Sequence, residues 1–110
     1  VTGAVANGDM RQEFEDVFGT ALLDTYGSTE TSGAITASRP GGPKVPGSCG
    51  TAVPGLSVRL ADPETGLAVP DGTEGEVWVR GPNVMSGYHN APEATTAVLR
   101  DGWYHTGDLA

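Results

Sequence analysis

The segment at positions 38–55 constrains the fold more than any other part of the chain. Its sequence, SRPGGPKVPGSCGTAVPG, places four prolines and five glycines in eighteen positions. Proline lacks a backbone N–H and fixes φ, and glycine weakens regular structure, so this composition excludes a regular helix. We therefore predict a shaped loop, and a loop of this length is typical of a functional segment.

The residues before this loop show a helical pattern followed by a strand-like run. Apolar residues recur at helical spacing over positions 9–19, which predicts an amphipathic helix with Asp9 as its cap and Gly19 at its end. The short apolar run 21–23, together with Tyr26, predicts a buried strand that leads into a loop. The apolar positions of the helix are Met10, Phe14, Val17 and Phe18.

The pattern after the loop changes to the period of two that β-strands show. Positions 56–60 alternate between apolar and polar residues and predict a half-buried strand, which the DPETG sequence at 62–66 turns back. The EVWVR sequence at 76–80 predicts a second strand, and the two strands together indicate an antiparallel sheet. Positions 92–99 predict a last helix, with Asn90 as its cap and a proline in its first turn. A DGW turn follows this helix.

Composition limits the classes of partner. The 110-residue chain carries a formal net charge of −8, which leaves no basic face for nucleic acid or an anionic membrane surface. The chain does not start with a basic segment and an apolar run, so we expect neither a signal peptide nor a membrane span. The single cysteine, Cys49, fits a reducing compartment, and we expect a cytoplasmic protein. Because the sequence starts at Val1 and stops just after a motif, we also expect a fragment of a longer chain.

The sequence DTYGSTETSG offers the first candidate site. Gly27 permits close approach of the backbone to a ligand, and Ser28 and Thr29 offer hydroxyl donors for phosphate oxygens. Glu30 is a suitable ligand for a magnesium ion that neutralises phosphate charge, and Tyr26 offers a ring face for a base. The same composition also fits a solvated turn whose hydroxyls bond their own backbone. Both interpretations stay open on composition alone.

Two further segments carry candidate residues. In WYHTGDLA, the carboxylate of Asp108 is suited to accept two hydrogen bonds from neighbouring sugar hydroxyls, although an aspartate here is also common in a surface turn. The segment GEVWVRGPNVMSGYHN combines a strand with a loop that contains glycine and asparagine, and we interpret it as a core strand and its exit. Neither His89 nor His105 has a neighbour at metal-ligand spacing.

In this order and spacing, YGSTE, GEVWVRGPNVMSGYHN and DGWYHTGDLA resemble the consecutive core motifs of the adenylate-forming enzymes, in particular the acyl-CoA synthetases. VTGA at the start of the chain is similar to the GGAP turn of that family, and PGSCGTAVPG is similar to its GSVGxPxPG loop. The resemblance therefore covers nearly the whole chain. Members of the family join a carboxylate to the α-phosphate of ATP, release pyrophosphate, and pass the acyl group of the acyl-adenylate to a thiol.

The resemblance implies a role for each residue of the candidate site. Tyr26 would lie against the adenine, and Asp108 would bind the ribose hydroxyls. Thr29 would contact the phosphates and Glu30 would bind Mg²⁺, which makes these two the expected catalytic residues. The expected nucleotide-binding residues are Gly3, Ala4, Asp24, Thr25, Tyr26, Gly27, Ser28, Thr29 and Asp108.

The resemblance also implies a fold and a domain arrangement. The chain would be a mixed α/β fragment of the large N-terminal domain of such an enzyme. Residues 1–37 would form the end of a sheet-and-helix subdomain that includes the nucleotide loop. Residues 38–110 would form a loop and part of a distorted antiparallel β-barrel.

The implied activity is ATP-dependent acyl activation by an acyl-CoA synthetase, with Mg²⁺ as cofactor, a carboxylic acid as substrate and CoA as thiol acceptor. The upstream phosphate loop and the C-terminal catalytic lysine of the family are not in this sequence, so we expect the fragment alone to be inactive. Two alternatives are a peptide-synthetase adenylation domain that loads a carrier-protein thiol and a non-catalytic, truncated nucleotide-binding or interaction module. The DGW sequence directly before YHTGD favours a CoA ligase.

Overall fold

The computed structural model describes residues 7–110 as two antiparallel sheets and two helices. The strands are β1 (Thr25–Ser28), β2 (Gly33–Ala37), β3 (Thr51–Ala52), β4 (Ser57–Ala61), β5 (Glu76–Arg80), β6 (Leu99–Arg100) and β7 (Trp103–Leu109). The helices are α1 (Gly8–Phe18) and α2 (Pro92–Val98), and a single 3₁₀ turn, Thr29–Thr31, joins β1 to β2. The first sheet has the order β1-β2-β3 and the second the order β4-β5-β7-β6. Within residues 7–110, neither helix is long and apolar enough to cross a membrane.

Helix α1 begins one residue earlier than its pattern predicts. Its cap is Asn7, whose Oδ1 accepts a hydrogen bond from the Met10 N–H at 2.8 Å. The prediction that Asp9 is the cap is wrong, because a cap lies in extended backbone before the helix and Asp9 is already in the first turn. Gly19 ends the helix in the left-handed conformation (φ 62°), as predicted, and its N–H donates to the carbonyl of Glu15.

The strand predicted over residues 21–26 starts only at Thr25. The Leu22 N–H donates to Glu15 Oε1 at 2.9 Å, and the Leu22 carbonyl accepts from the Arg11 guanidinium at 2.8 Å. Both partners are side chains of α1. The prediction of a buried strand is therefore wrong for residues 21–24, and at Leu22 the reason is that helix side chains bond the backbone groups that a neighbouring strand would have bonded. Tyr26 lies in β1, as predicted.

The segment rich in proline and glycine forms an irregular loop, as predicted, and only its residues 51–52 join a sheet. The loop is fixed at both sides. The Thr36 hydroxyl of β2 donates to the Cys49 carbonyl at 3.0 Å, and Lys44 Nζ donates to Glu15 Oε2 of α1 at 2.6 Å. Gly50 (φ 91°) lies so close to the backbone of Ala37 that a side chain at this position would overlap it. The loop therefore packs against α1 and β2 as a defined part of the fold.

Strand β5 is one of the two inner strands of the second sheet and is buried on both faces. Val77 and Val79 pack with Ile35 of β2 and Tyr104 of β7, so the two sheets share one hydrophobic core. Trp78 lies on the opposite face and is only 6% exposed. Strand β4 pairs with β5 over five residue pairs, which confirms the predicted antiparallel arrangement. The division of the chain at residue 37 stays a prediction.

Helix α2 begins at Pro92, as its pattern predicts, but Asn90 is not its cap. The cap position is Ala91, which has no side-chain acceptor, and Asn90 (φ 52°) lies one residue too early in a left-handed turn. Strands β6 and β7 are joined by the DGW turn, where Asp101 (φ 51°) and Gly102 (φ 77°) both adopt the left-handed conformation that a two-residue hairpin requires.

Gly27→Ala tests the close approach of β1 and β2. A Cβ on Gly27 would overlap the carbonyl group of Gly33, whereas a Cβ on Gly8 would meet no atom within 4 Å. In the full-length protein that contains this chain, we expect Gly27→Ala to lower the free energy of unfolding by about 1–3 kcal/mol or more. The matched control, Gly8→Ala, should cost nothing. Denaturant unfolding measures both, and equal stability of the two variants would contradict the strand geometry.

Candidate functional site

The hydroxyl-rich turn after β1 divides into internal and external residues. Thr31 is fully buried, and its Oγ1 accepts the Ser28 N–H at 3.2 Å and lies 2.9 Å from the Gly33 carbonyl oxygen, to which it donates. The interpretation as a self-capping turn therefore holds for Thr31. Thr29 is exposed, so its hydroxyl faces solvent at the tip of the turn. The same turn thus has one residue that shapes it and one that is available to a ligand.

The loop that follows β5 holds Glu30 in place. The Tyr88 hydroxyl donates to Glu30 Oε1 at 2.9 Å, and the Met85 N–H donates to the Glu30 carbonyl at 2.7 Å. The Asn83 amide donates to the carbonyl of Thr31 at 2.7 Å. Sequence reasoning treated this segment as a strand and its exit, and it missed these contacts because the partners are more than fifty residues apart in the chain.

The carboxylate of Glu30 is held in its ionised form. A hydrogen bond from its own backbone N–H lowers the pKa of Glu30, and the Tyr88 hydroxyl lowers it further. Within residues 7–110, no group of three or more acidic, histidine or cysteine side chains is arranged to hold a metal ion. A single ionised carboxylate still suits Mg²⁺, which keeps several waters and binds one or two carboxylates together with substrate phosphates.

Tyr26 and Asp108 meet although they are 82 residues apart in the chain. The Tyr26 hydroxyl donates to Asp108 Oδ2 at 2.6 Å. Burial raises the pKa of Tyr26, and the Asp108 carboxylate raises it further, so the phenol stays a proton donor at neutral pH. The structure therefore brings together a ring suited to a base and a carboxylate suited to sugar hydroxyls.

Tyr104 connects the two halves of this surface. It packs in the hydrophobic core with Val77 and Val79, and only 5% of its surface is exposed. Burial raises the pKa of Tyr104, and the negative charges of Glu30 and Asp108 act in the same direction. Glu30 and Asp108 thus lie in one electrostatic neighbourhood around the same phenol. We name the residues predicted to contact a nucleotide, which are Tyr26, Ser28, Thr29, Glu30 and Asp108, the nucleotide surface.

Asp24 faces away from this surface. Its two carboxylate oxygens accept hydrogen bonds from the Arg11 guanidinium of α1 at 2.7 and 2.5 Å. Both residues line an open groove of about 480 Å³ between α1 and the loop rich in proline and glycine. Asp24 therefore anchors the helix, and its role beside a nucleotide stays a prediction. Thr25 and Gly27 lie in β1, whereas Gly3 and Ala4 lie outside the described residues.

Solved structures share this fold over nearly the whole chain. Apo MatB from Rhodopseudomonas palustris superposes with a TM-score of 0.90 and 43% identity, over 98% of this chain and 22% of that chain. A benzoate CoA ligase from Burkholderia xenovorans LB400 superposes with a TM-score of 0.88 and 33% identity, over the same shares of the two chains. The fold is that of a part of the N-terminal domain of adenylate-forming CoA ligases, and the predicted fold class is confirmed.

The sequence comparison gives the family. A model of the AMP-binding enzyme family matches residues 1–89. A long-chain-fatty-acid–CoA ligase from Bacillus subtilis (strain 168) is 43% identical over 101 residues, which cover 92% of this chain and 18% of the relative. The chain belongs to the AMP-binding enzyme family, and it spans about a fifth of the length of the curated relatives it matches.

Tyr88→Phe tests the contact that holds Glu30. The substitution removes a donor to the ionised carboxylate, so we expect the pKa of Glu30 to rise towards its ordinary value. The titration of the Glu30 carboxyl carbon by NMR, assigned with Glu30→Gln, measures the change. Tyr26→Phe is the matched control, because it removes an equivalent hydroxyl that bonds Asp108 instead. A titration unaltered by Tyr88→Phe would show that the contact is absent in solution.

Proposed function

We propose that this chain is the nucleotide-binding part of an ATP-dependent acyl-activating enzyme, an acyl-CoA synthetase that forms an acyl-adenylate and then an acyl-CoA thioester. The observation that carries the proposal is the contact between Tyr26 and Asp108 beside the turn that presents Thr29 and Glu30. A ring face suits the base of a nucleotide, a carboxylate suits its sugar hydroxyls, and hydroxyl donors suit its phosphates. All three kinds of group lie on this part of the structure.

The sugar assignment rests on the hydrogen-bonding capacity of Asp108. An ionised carboxylate has about four acceptor positions, and the Tyr26 hydroxyl uses one of them. The remaining positions are sufficient for two adjacent hydroxyl groups. Asp108 is exposed, so a ligand reaches it without displacing protein atoms. The Tyr26 hydroxyl fixes the carboxylate before a ligand arrives, which lowers the entropic cost of binding.

The phosphate assignment rests on Thr29 and Glu30. The exposed hydroxyl of Thr29 is a donor for a phosphate oxygen. Glu30 suits Mg²⁺ because its lowered pKa keeps the carboxylate ionised. When bound, Mg²⁺ would neutralise charge on the phosphates during attack by the substrate carboxylate. The role of this chain's own residues is to orient the nucleotide, because the chain has a net charge of −8 and does not neutralise a polyanion by itself.

The remaining parts of the reaction would come from the rest of the full-length protein. Because the chain spans 18% of the Bacillus relative, we propose that the isolated segment is inactive and that the parent enzyme supplies the cationic residues and most of the acyl pocket. The relatives named for long-chain fatty acids and for benzoate differ in their acids, so the proposal covers carboxylic acids as a class. Their names favour CoA over a carrier protein as the acceptor. The free, exposed Cys49 supports the expectation of a cytoplasmic parent.

Asp108→Ala tests the sugar assignment in the full-length protein. Hydrogen bonds to a charged acceptor contribute about 1.5–3 kcal/mol each, so the loss of two should lower kcat/KM for ATP by about 100-fold or more. Acid-dependent pyrophosphate release at saturating acid measures the effect. Asp71→Ala, which removes an exposed aspartate outside the nucleotide surface, is the control and should leave the rate unchanged. Undiminished release by Asp108→Ala would remove the sugar assignment.

A further inference from the structure

Strand β7 carries a bulge near its C-terminal end. Trp78 of β5 lies opposite His105, whereas Glu76 lies opposite Leu109. The two steps from Trp78 to Glu76 on β5 therefore correspond to four steps on β7. Val77 is the single residue opposite positions 106–108 of β7. A regular register would have continued without these two additional residues. A bulge of this kind bends its strand and redirects the side chains it contains.

The Thr106 hydroxyl closes one side of the bulge. It donates to the Val77 carbonyl at 2.8 Å and accepts the Asp108 N–H at 3.1 Å. The backbone of Asp108 is therefore bonded to a side chain, and through that side chain to β5. In a regular strand the sheet would have made this connection directly.

The Glu76 carboxylate closes the other side. Its Oε1 accepts the Gly107 N–H at 2.9 Å, and its Oε2 accepts the Trp78 indole N–H at 2.8 Å. Glu76 is only 9% exposed, and a buried carboxylate is costly unless hydrogen bonds compensate it. Both of its oxygens have a donor here. Gly107 adopts the left-handed conformation (φ 76°), which glycine accommodates without strain.

The group that holds Glu76 is itself fixed. The Trp78 indole stacks on His105 with ring centroids 3.7 Å apart, and the Arg59 guanidinium lies between Trp78 and Trp103 at 4.6 and 4.3 Å from their rings. Stacking and cation–π contacts of this kind restrict the indole to one orientation. Because the Trp78 indole that bonds Glu76 Oε2 is fixed in this way, the other oxygen, Oε1, is held in place beside the bulge.

We propose that Thr106 and Glu76 are positioning residues, which hold the β7 bulge so that the Asp108 carboxylate faces Tyr26 and the nucleotide sugar. This inference rests on the proposed function and deepens it. Neither residue contacts the Asp108 carboxylate. They act on the two backbone N–H groups of the bulge, those of Gly107 and Asp108, which set the direction of the aspartate side chain. The Thr106 hydroxyl also lies beside the Tyr26 phenol.

The test compares Thr106→Val with Thr106→Ser in the full-length protein. Valine has nearly the shape of threonine but no hydroxyl, whereas serine keeps the hydroxyl. The first readout is the crystal structure, in which we expect the 2.6 Å contact between Tyr26 and Asp108 to lengthen in the valine variant and to persist in the serine variant. An unchanged contact in the valine variant overturns the proposal.

The second readout is the preference for ATP over 2′-deoxy-ATP in pyrophosphate release. We expect Thr106→Val to lower kcat/KM for ATP about tenfold and to reduce the preference, and Thr106→Ser to restore both. Thr106→Val should reduce the preference no further in an Asp108→Ala background. Thr96→Val is the matched control, since it removes a hydroxyl that bonds the Pro92 carbonyl in α2. Lower thermal stability with an intact preference would show a merely structural role and overturn the proposal.

These outcomes separate the inference from the proposed function. If Asp108→Ala keeps the full preference for ATP, the sugar assignment fails, while the crystallographic contact still decides the positioning role. If Thr106→Val does not fold, Glu76→Met replaces it in both readouts. Methionine has a similar length but no oxygen acceptor, so the Gly107 N–H loses its partner in the bulge. A lengthened contact in that variant supports the proposal, and an unchanged one overturns it.

Discussion

The burial of β5 on both faces is the constraint on which the rest of the structure depends. Val77 and Val79 join the two sheets into one core through Ile35, and Trp78 supports the opposite face. The loop after β5 then reaches Glu30, and the strand beside it, β7, carries Asp108 one residue before its end. The nucleotide surface is thus built around one strand that itself carries none of the expected ligand-binding residues. A loss of packing around β5 would separate the residues of this surface before it altered any of them.

The local patterns predicted both helices and strands β4 and β5, but they did not predict β2, β3, β6 or β7. The alternation over 56–60 and 76–80 gave two strands that pair as expected, and the DGW sequence specified a hairpin turn through its two left-handed residues. The errors arose where side chains replace backbone partners. Residues 21–23 are apolar enough for a strand, yet Glu15 and Arg11 of α1 bond the backbone of Leu22. Asp9 and Asn7 are both good caps, and only the backbone conformation distinguishes them.

The sequence predicted the residue types of the candidate site, but it did not predict the residues that hold them in place. The DTYGSTETSG motif identified the turn, and Asp108 was recognised from its own motif. Tyr88 could not be assigned to Glu30 from the sequence, because their contact depends on the path of the chain over 58 residues. The bulge in β7 was equally hidden, since Glu76 and Gly107 become partners only once the strands pair out of regular register. The sequence thus predicted the groups that are proposed to face a ligand, whereas the groups that hold them in place could be identified only from the structure.

The 82-residue separation of Tyr26 and Asp108 has a thermodynamic consequence. One residue belongs to the first sheet and the other to the last strand of the second, so a ligand that touches both binds only while both sheets are formed. By linkage, such a ligand adds its binding free energy to the cost of opening either sheet. Amide hydrogen exchange in β1 and β7 would then slow together on binding, although the two strands are not paired with each other. A nucleotide bound as proposed would in this way act as a reversible cross-link between the two sheets.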